Sequence, residues 1–158
     1  MTSRTGLPLL FALLLASWPV RADAQSQKSV SITPVQSLSF GLLVPGIRGT
    51  VRITDVSRRA VVALAGKGPV DITLVLPSSL DSPTGERIPL QFSTGDAAFL
   101  NADGSTISTL DPLQANRVTL RNDRTILFVL GGTAVTTATT RPGHYTARVT
   151  LLVNQPGT

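Results

Sequence analysis

The sequence predicts an all-β protein, an antiparallel β-sandwich in a single domain. The first observation is that apolar and polar residues alternate with a period of two in many short stretches, as they do in half-buried strands. The second is that Gly, Pro, Asp and Asn recur between these stretches and mark turns. The third is that no long segment carries apolar residues at helical spacing. About nine short strands of this kind are typical of a sandwich.

The clearest alternation lies near the carboxyl terminus, over residues 143–153. Every second residue from Tyr145 to Val153 is apolar, and the residues between them are polar except for Leu152. Pro142 and Gly143 give the stretch a sharp entry. The pattern predicts one long strand, whose apolar side needs a second sheet to cover it.

The amino terminus has the features of a cleaved signal peptide. Arg4 is followed by an apolar run over residues 7–16, and the small-x-small pattern of residues 22–24 suits a signal peptidase. The run is too short to cross a bilayer core of about 30 Å as a helix, although an uncleaved anchor is the alternative. We therefore expect a signal peptide over residues 1–24 and a β-sandwich domain over residues 25–158. The protein would be exported to the periplasm, the cell surface or the medium.

The composition of the mature chain excludes several kinds of site. Cleavage removes Arg4, Arg21 and Asp23, so the formal net charge falls from +5 to +4. There is no cysteine, which excludes disulfides, thiol catalysis and thiolate metal sites. Sites that bind single-stranded nucleic acid or sugars through stacked aromatic rings are not expected, because few aromatic residues remain. These are Phe40, Phe92, Phe99, Phe128 and Tyr145.

The first half of the mature chain contains four strand candidates. Residues 30–33 alternate, and Pro34, which lacks a backbone donor, should hold this strand at a sheet edge. Only five polar residues precede it after cleavage, so we expect residues 30–35 to pair within their own chain. The other candidates are Leu38–Phe40, Thr50–Thr54 with Val51 and Ile53 inward, and Ala60–Ala65. Because Ala60–Ala65 is almost wholly apolar, it is either a strand covered on both faces or a short helix, and its β-branched residues favour the strand.

The second half continues in the same way. A strand over residues 70–76 ends at Pro77, and residues 78–86 form a polar surface loop. Asp103-Gly104 predicts a type I′ hairpin turn. The remaining strand candidates are 88–92, 98–101, 118–120 and 125–130, and the threonine-rich stretch 133–140 reads as a strand edge or a loop.

Five landmarks occur in a fixed order along the mature chain. They are Leu38-Ser39-Phe40-Gly41, Gly49-Thr50-Val51, residues 70–77, Leu130-Gly131-Gly132-Thr133 and Pro142-Gly143-His144-Tyr145. This set resembles the bacterial exported domain-of-unknown-function family 4402 (DUF4402), whose members resemble pilus subunits in their final strand. The resemblance covers essentially the whole mature chain. It implies an immunoglobulin-like, pilin-like sandwich and a cell-surface or fimbria-like role, without an established activity.

The resemblance also implies a structural signature, and it has one exception. The signature residues are Phe40, Gly41, Gly131, Gly132, Gly143 and Tyr145. Gly143 would serve a corner where a Cβ clashes or where φ is positive. The Tyr145 hydroxyl would bond a backbone group of that corner, as in a tyrosine corner, or Tyr145 is simply a core aromatic. Such final strands commonly end in an aromatic residue, whereas this chain has Val153-Asn154-Gln155, which weakens the case for a polymer-forming groove.

Catalytic and metal-binding patterns are weak. His144 is the single histidine and falls on the polar side of its predicted strand, and no Gly-x-Ser-x-Gly elbow occurs, so we expect an exposed histidine and no enzyme. Asn101-x-Asp103-Gly104 matches part of a calcium loop but lacks its other ligands, so it predicts a turn. We expect no cofactor and no metal. The other loop carboxylates, Asp81, Glu86, Asp96 and Asp111, show no paired spacing.

One stretch of the mature chain is strongly basic. Arg48, Arg52, Arg58, Arg59 and Lys67 occur against a single Asp55. These residues are candidates for a basic face that binds anionic polysaccharide or lipid head groups. The alternative is ordinary solvated charge that also protects a sheet edge from pairing.

Together these observations predict an exported, non-catalytic protein, a structural or adhesion subunit of the cell surface or of a fimbria-like assembly. The alternative is a periplasmic or secreted module that binds anions through the basic face. We expect contacts with other surface or pilus-like subunits through sheet edges, no nucleic-acid binding and no stable membrane insertion. The purified mature protein should be mainly a monomer.

Overall fold

The computed structural model describes residues 30–156 and confirms the all-β prediction. These residues form twelve strands and no helix, and every strand pair is antiparallel. The predicted signal segment and the residues up to 29 lie outside the described part. The strands are β1 (Ser31–Gln36), β2 (Arg48–Val51), β3 (Ala60–Ala65), β4 (Gly68–Val75), β5 (Ser79–Asp81), β6 (Arg87–Gln91), β7 (Ala97–Asn101), β8 (Thr106–Leu110), β9 (Asn116–Leu120), β10 (Ile126–Leu130), β11 (Gly132–Val135) and β12 (Thr150–Asn154).

The strands form three sheets, two of which pack face to face. The five-stranded sheet has the order β1-β3-β10-β7-β8, and the three-stranded sheet β12-β4-β9 covers it. Between them, the rings of Phe99 and Phe128 meet edge to face with centroids 5.9 Å apart. The four-stranded sheet β2-β11-β6-β5 has a smaller core around Phe40, Val51 and Ile88. The main core consists of Leu64, Val70, Ile72, Ala97, Phe99, Leu110, Leu120, Ile126, Phe128 and Leu130.

The strand β3 is covered on both faces, as its apolar run predicts. Leu64 packs into the main core, whereas Val61, which points to the opposite face, packs with Ala98 and Val129. Ile53, from the loop after β2, lies against this second face. The structure therefore confirms the strand over Ala60–Ala65 and explains why it lacks a polar side.

The chain changes sheets between β10 and β11, at two glycines. Strand β10 pairs in the five-stranded sheet, and β11 begins two residues later in the four-stranded sheet. A Cβ on Gly131 would collide with the backbone carbonyl oxygen of Val51, and one on Gly132 would lie 2.8 Å from Phe92 Cε1. The crossing therefore requires both glycines because the backbone of β2 and the Phe92 ring occupy that space.

The prediction of one strand over residues 143–153 is wrong. Thr146 forms a single bridge with Asp81 at the end of β5, and regular pairing resumes at Thr150 as β12, opposite β4. Ala147 and Val149, which the alternation placed in the core, are exposed. The segment leaves one sheet and joins another, so its middle pairs with neither.

The first strand lies at an edge and pairs within its own chain, as predicted. β1 pairs only with β3, and its register shifts between Pro34 and Gln36. Because Pro34 lacks an N–H, an edge position loses the least pairing there.

Several boundaries differ from the predictions. Leu38–Phe40 is not a strand, and β2 ends at Val51, so Arg52 and Ile53 lie in a loop. The predicted loop 78–86 contains β5. The hairpin between β7 and β8 is present, but in its turn only Gly104 has a positive φ, so the turn is not type I′.

Candidate functional site

An apolar groove lies over the four-stranded sheet. Its volume is about 740 Å³. Residues 37–45, which follow β1, form one wall, and residues 140–147 with Val149 form the other. Strands β5 and β6 supply the floor. Concave apolar surfaces of this size are the usual place where proteins bind a partner or ligand. Its apolar lining includes Leu38, Phe40, Leu80, Ile88, Leu90 and Phe92.

The rim of the groove is a turn that displays aliphatic side chains. Leu42 is 95% exposed, and Val44 and Ile47 are also exposed, whereas Leu43 turns inward against Gly49. Exposed apolar side chains that cluster in this way usually mark an interaction surface. Sequence reasoning missed this rim, although the run Leu-Leu-Val between Gly41 and Pro45-Gly46 was its visible signal.

A buried hydroxyl fixes that rim. Thr136 is 6% exposed, and its Oγ1 accepts a hydrogen bond from the Ile47 N–H at 3.1 Å. The same hydroxyl lies 2.8 Å from the Val44 carbonyl oxygen and 2.7 Å from that of Ile47, and can donate to either. The turn is thus held in place by a residue far along the chain.

Tyr145 braces the opposite wall. Its hydroxyl donates a hydrogen bond to the Arg141 carbonyl oxygen at 2.8 Å, and its half-buried ring packs against the smaller core. This is the backbone contact that the tyrosine-corner interpretation predicts. Arg141 also contacts Glu86 at 3.2 Å, while the Thr146 and Asp81 backbones exchange two hydrogen bonds of 2.8 and 2.9 Å. The wall is therefore attached to β5 and its following turn.

Gly143 does not have the backbone role that was predicted. It is not among the glycines with positive φ, and a Cβ there would lie at an ordinary 3.6 Å from Tyr145 Cε2. Of the other signature residues, Phe40 is buried in the smaller core, Gly41 has φ +66°, and Gly131 and Gly132 form the sheet crossing described above. The signature is therefore spread over the wall of the groove and the crossing beneath it.

His144 lies at the groove and is exposed, as predicted. Within residues 30–156 it makes no hydrogen bond to another side chain, so no residue orients its ring as a catalytic base would need.

The carboxylates that the sequence singled out take part in hydrogen bonds and ion pairs of turns and neighbouring strands. Asp103 accepts hydrogen bonds from the Ser105 N–H at 2.8 Å and its hydroxyl at 2.6 Å, and these bonds lower the pKa of Asp103. Asp96 accepts from the N–H and hydroxyl of Ser93 in the same manner. Asp81 contacts Arg87 at 3.4 Å, and Asp111 accepts from the Leu113 N–H. Across the described residues no cluster of three or more potential metal ligands forms.

The five cations of the basic stretch do not share one surface. Arg48 and Arg52 are exposed at the two ends of β2. Arg58 donates to Asp55 at 2.7 Å, and this hydrogen bond with that from Ser57 lowers the pKa of Asp55. Arg59 is half buried and donates to the Ile53 carbonyl oxygen, so it holds the loop after β2. Arg59 precedes β3 and Lys67 follows it. A six-residue strand is about 20 Å long at 3.3 Å per residue, so the length of β3 separates these two cations.

Comparison with known proteins identifies no relative. No protein-family model matches the chain, and a search of curated proteins finds no match. Among residues 30–156, the structure has no helix with the length and hydropathy needed to cross a membrane.

Proposed function

We propose that the chain is an exported, non-catalytic subunit of the cell surface or of a fimbria-like assembly, and that it makes its contacts through a sheet edge. The DUF4402 resemblance and the immunoglobulin-like topology that it implies belong to the same proposal. The observation that carries it is the outer edge of β12, which has none of the features that normally prevent edge pairing.

The other outer strands carry such features. β1 contains Pro34, and its register with β3 shifts after that residue. The pairing of β8 with β7 also has a register shift, between Phe99 and Leu100. β2, β5 and β9 carry Arg48, Asp81 and Arg117 respectively. By contrast β12 reads Thr-Leu-Leu-Val-Asn, with no charge, no proline and a regular register to β4. On its outer side β12 pairs with no other strand of residues 30–156, so its backbone groups there can receive an extended segment of another protein.

The apolar groove adds side-chain contacts to that edge. Val149 lines the groove and directly precedes β12, so the exposed backbone edge and the apolar groove are continuous along the chain. On the outward face of the strand, Leu152 is 51% exposed. A partner strand would gain backbone hydrogen bonds at β12 and apolar contacts at the groove, which is how added strands obtain affinity and specificity.

A charge placed on this edge tests the proposal. In the producing bacterium, wild-type protein should appear in the surface fraction and crosslink to other surface proteins. We expect Leu152→Asp to lose most of this incorporation, because a charged side chain opposes edge pairing. The matched control is Leu113→Asp, since Leu113 is 66% exposed in a loop and outside every strand.

Both variants should remain secreted and folded by circular dichroism. Unchanged crosslinking of Leu152→Asp, or a wild-type protein that stays entirely soluble in the periplasm, would contradict the edge-mediated role.

The second candidate is a module that binds anionic polysaccharide or lipid head groups. It is supported by exposed cations, among them Lys67, Arg121 and Arg124, that make no ion pair with any other described residue. Retention of the mature protein on a sulfated matrix should then fall steeply with salt, because exposed charges are screened within about 10 Å at 0.1 M. Retention that does not change with salt would argue against this function.

A further inference from the structure

Two loops that connect the five-stranded and three-stranded sheets lie side by side at one end of the sandwich, and they are called the tips below. The first joins β3 to β4 and contains Lys67, and the second joins β9 to β10. In the pairing of β4 with β9, Gly68 lies opposite Leu120. Lys67 and Arg121, the next residues outward, are therefore neighbours although they are far apart in sequence. Arg121 also bridges to Arg124 across the second tip, so the fold gathers three cations here.

These three cations are available to a ligand. Lys67, Arg121 and Arg124 are exposed and make no ion pair within the described chain. Asp123 is the one acidic residue in the two tips. The next cation along β9, Arg117, is already neutralised by Asp71, with hydrogen bonds of 2.6 and 2.8 Å that lower the pKa of that carboxyl. The tips therefore carry an excess of positive charge, three cations against one carboxylate.

A shallow groove of about 390 Å³ runs between the tips. Thr119, Asn122 and Asp123 line it together with Lys67 and Arg121. Leu120 is 1% exposed, so its side chain belongs to the core and not to the groove surface. The groove thus offers cations and neutral hydrogen-bonding groups beside one carboxylate, that of Asp123, and no exposed aliphatic or aromatic side chain lines it.

We propose that these tips bind an anionic polysaccharide, with Lys67, Arg121 and Arg124 contacting its sulfate or carboxylate groups. Charge-assisted hydrogen bonds of this kind are the stronger ones available at a polar surface. A lipid surface is the poorer fit, because peripheral membrane sites combine cations with exposed apolar side chains. The exposed aliphatic residues Leu42 and Val44 lie elsewhere, at the rim of the apolar groove. The site rests on the second candidate function, for which it names the binding residues and one ligand class, and it does not depend on the β12 edge.

Heparin, as a sulfated probe, and polygalacturonate, as a carboxylate probe, test this site on the mature protein. The variant Lys67→Gln/Arg121→Gln/Arg124→Gln should bind the preferred probe at least about tenfold more weakly and elute from a heparin column at lower salt. The matched control is Arg48→Gln/Arg52→Gln/Arg148→Gln. It removes the same charge from three exposed residues that also lack ion pairs, and it should stay within about threefold of wild type.

The outcomes separate the alternatives. Equal weakening by both triple variants would show attraction to net charge alone and would overturn the site, as would unchanged binding by the tip variant. Tighter, tip-dependent binding to phosphatidylglycerol vesicles than to either polysaccharide would assign the tips to a lipid surface and overturn the ligand class. Leu152→Asp should bind the probes as wild type does, which keeps this test distinct from that of the β12 edge.

Discussion

At the scale of single residues, two glycines of the signature have opposite roles. Gly131 is buried where the chain crosses between sheets, and its missing Cβ makes room for the Val51 carbonyl oxygen. Gly143 is exposed, its φ is not positive, and a Cβ there would make an ordinary contact. A glycine in a motif can thus serve close packing or nothing specific, and sequence alone did not separate these cases.

The first prediction compares these two glycines. Gly131→Ala should lower the free energy of unfolding by about 2 kcal/mol or more, because backbone atoms must move to admit the methyl group. Gly143→Ala should change it by no more than about 0.5 kcal/mol. Urea denaturation of both variants measures the difference. Equal stability of the two variants would show that the crossing at Gly131 is looser than the structure indicates.

At the scale of elements, alternation predicted strands well but could not say which sheet a strand joins. The extended stretch 143–153 bridges to β5 at Thr146 and pairs with β4 from Thr150. Both parts keep a period of two, so the sequence gives no sign of the change. The step from β10 to β11 does have a sign, Gly131-Gly132, because a close backbone crossing requires the absence of side chains there.

The rim of the groove could not be predicted for a related reason. Thr136 holds Val44 and Ile47 through contacts between residues about ninety positions apart. Nothing local distinguishes Thr136 from Thr137, which follows it in the same threonine-rich stretch but is exposed. Only the tertiary fold decides which hydroxyl is buried.

That difference gives a prediction at the element scale. Thr136→Val keeps the shape of the side chain but leaves the Ile47 N–H and nearby carbonyl groups without their partner, so it should cost about 1–3 kcal/mol of stability. It should also speed proteolysis within residues 41–47. Thr137→Val is the control, and it should stay within about 0.5 kcal/mol of wild type. If both variants are cleaved and unfold alike, the buried hydroxyl does not fix the rim.

At the scale of the whole molecule, the sequence predicted the fold class but not which cations become neighbours across the sheets. Arg58 and Lys67 are near in sequence, yet β3 separates them, and Arg58 is paired with Asp55. Lys67 and Arg121 are far apart in sequence, yet the pairing of β4 with β9 makes them neighbours. Which cations form a surface patch depends on the order of the strands in the sheets. Hydrophobic alternation and turn residues predict strands, but they do not predict that order.

The last prediction concerns the assembly state of the chain without its predicted signal segment. A donated strand requires a free amino-terminal arm, but β1 already pairs with β3 over Ser31–Gln36 in its own chain. Exchange between molecules would have to break that pairing, and Pro34 would deprive any new pairing of one hydrogen bond. We therefore expect light scattering on the purified protein, residues 25–158, to show mainly monomer, with any assembly requiring another subunit at β12. Oligomers that survive mild detergent and vanish when residues 25–33 are deleted would instead establish exchange of the amino-terminal strand.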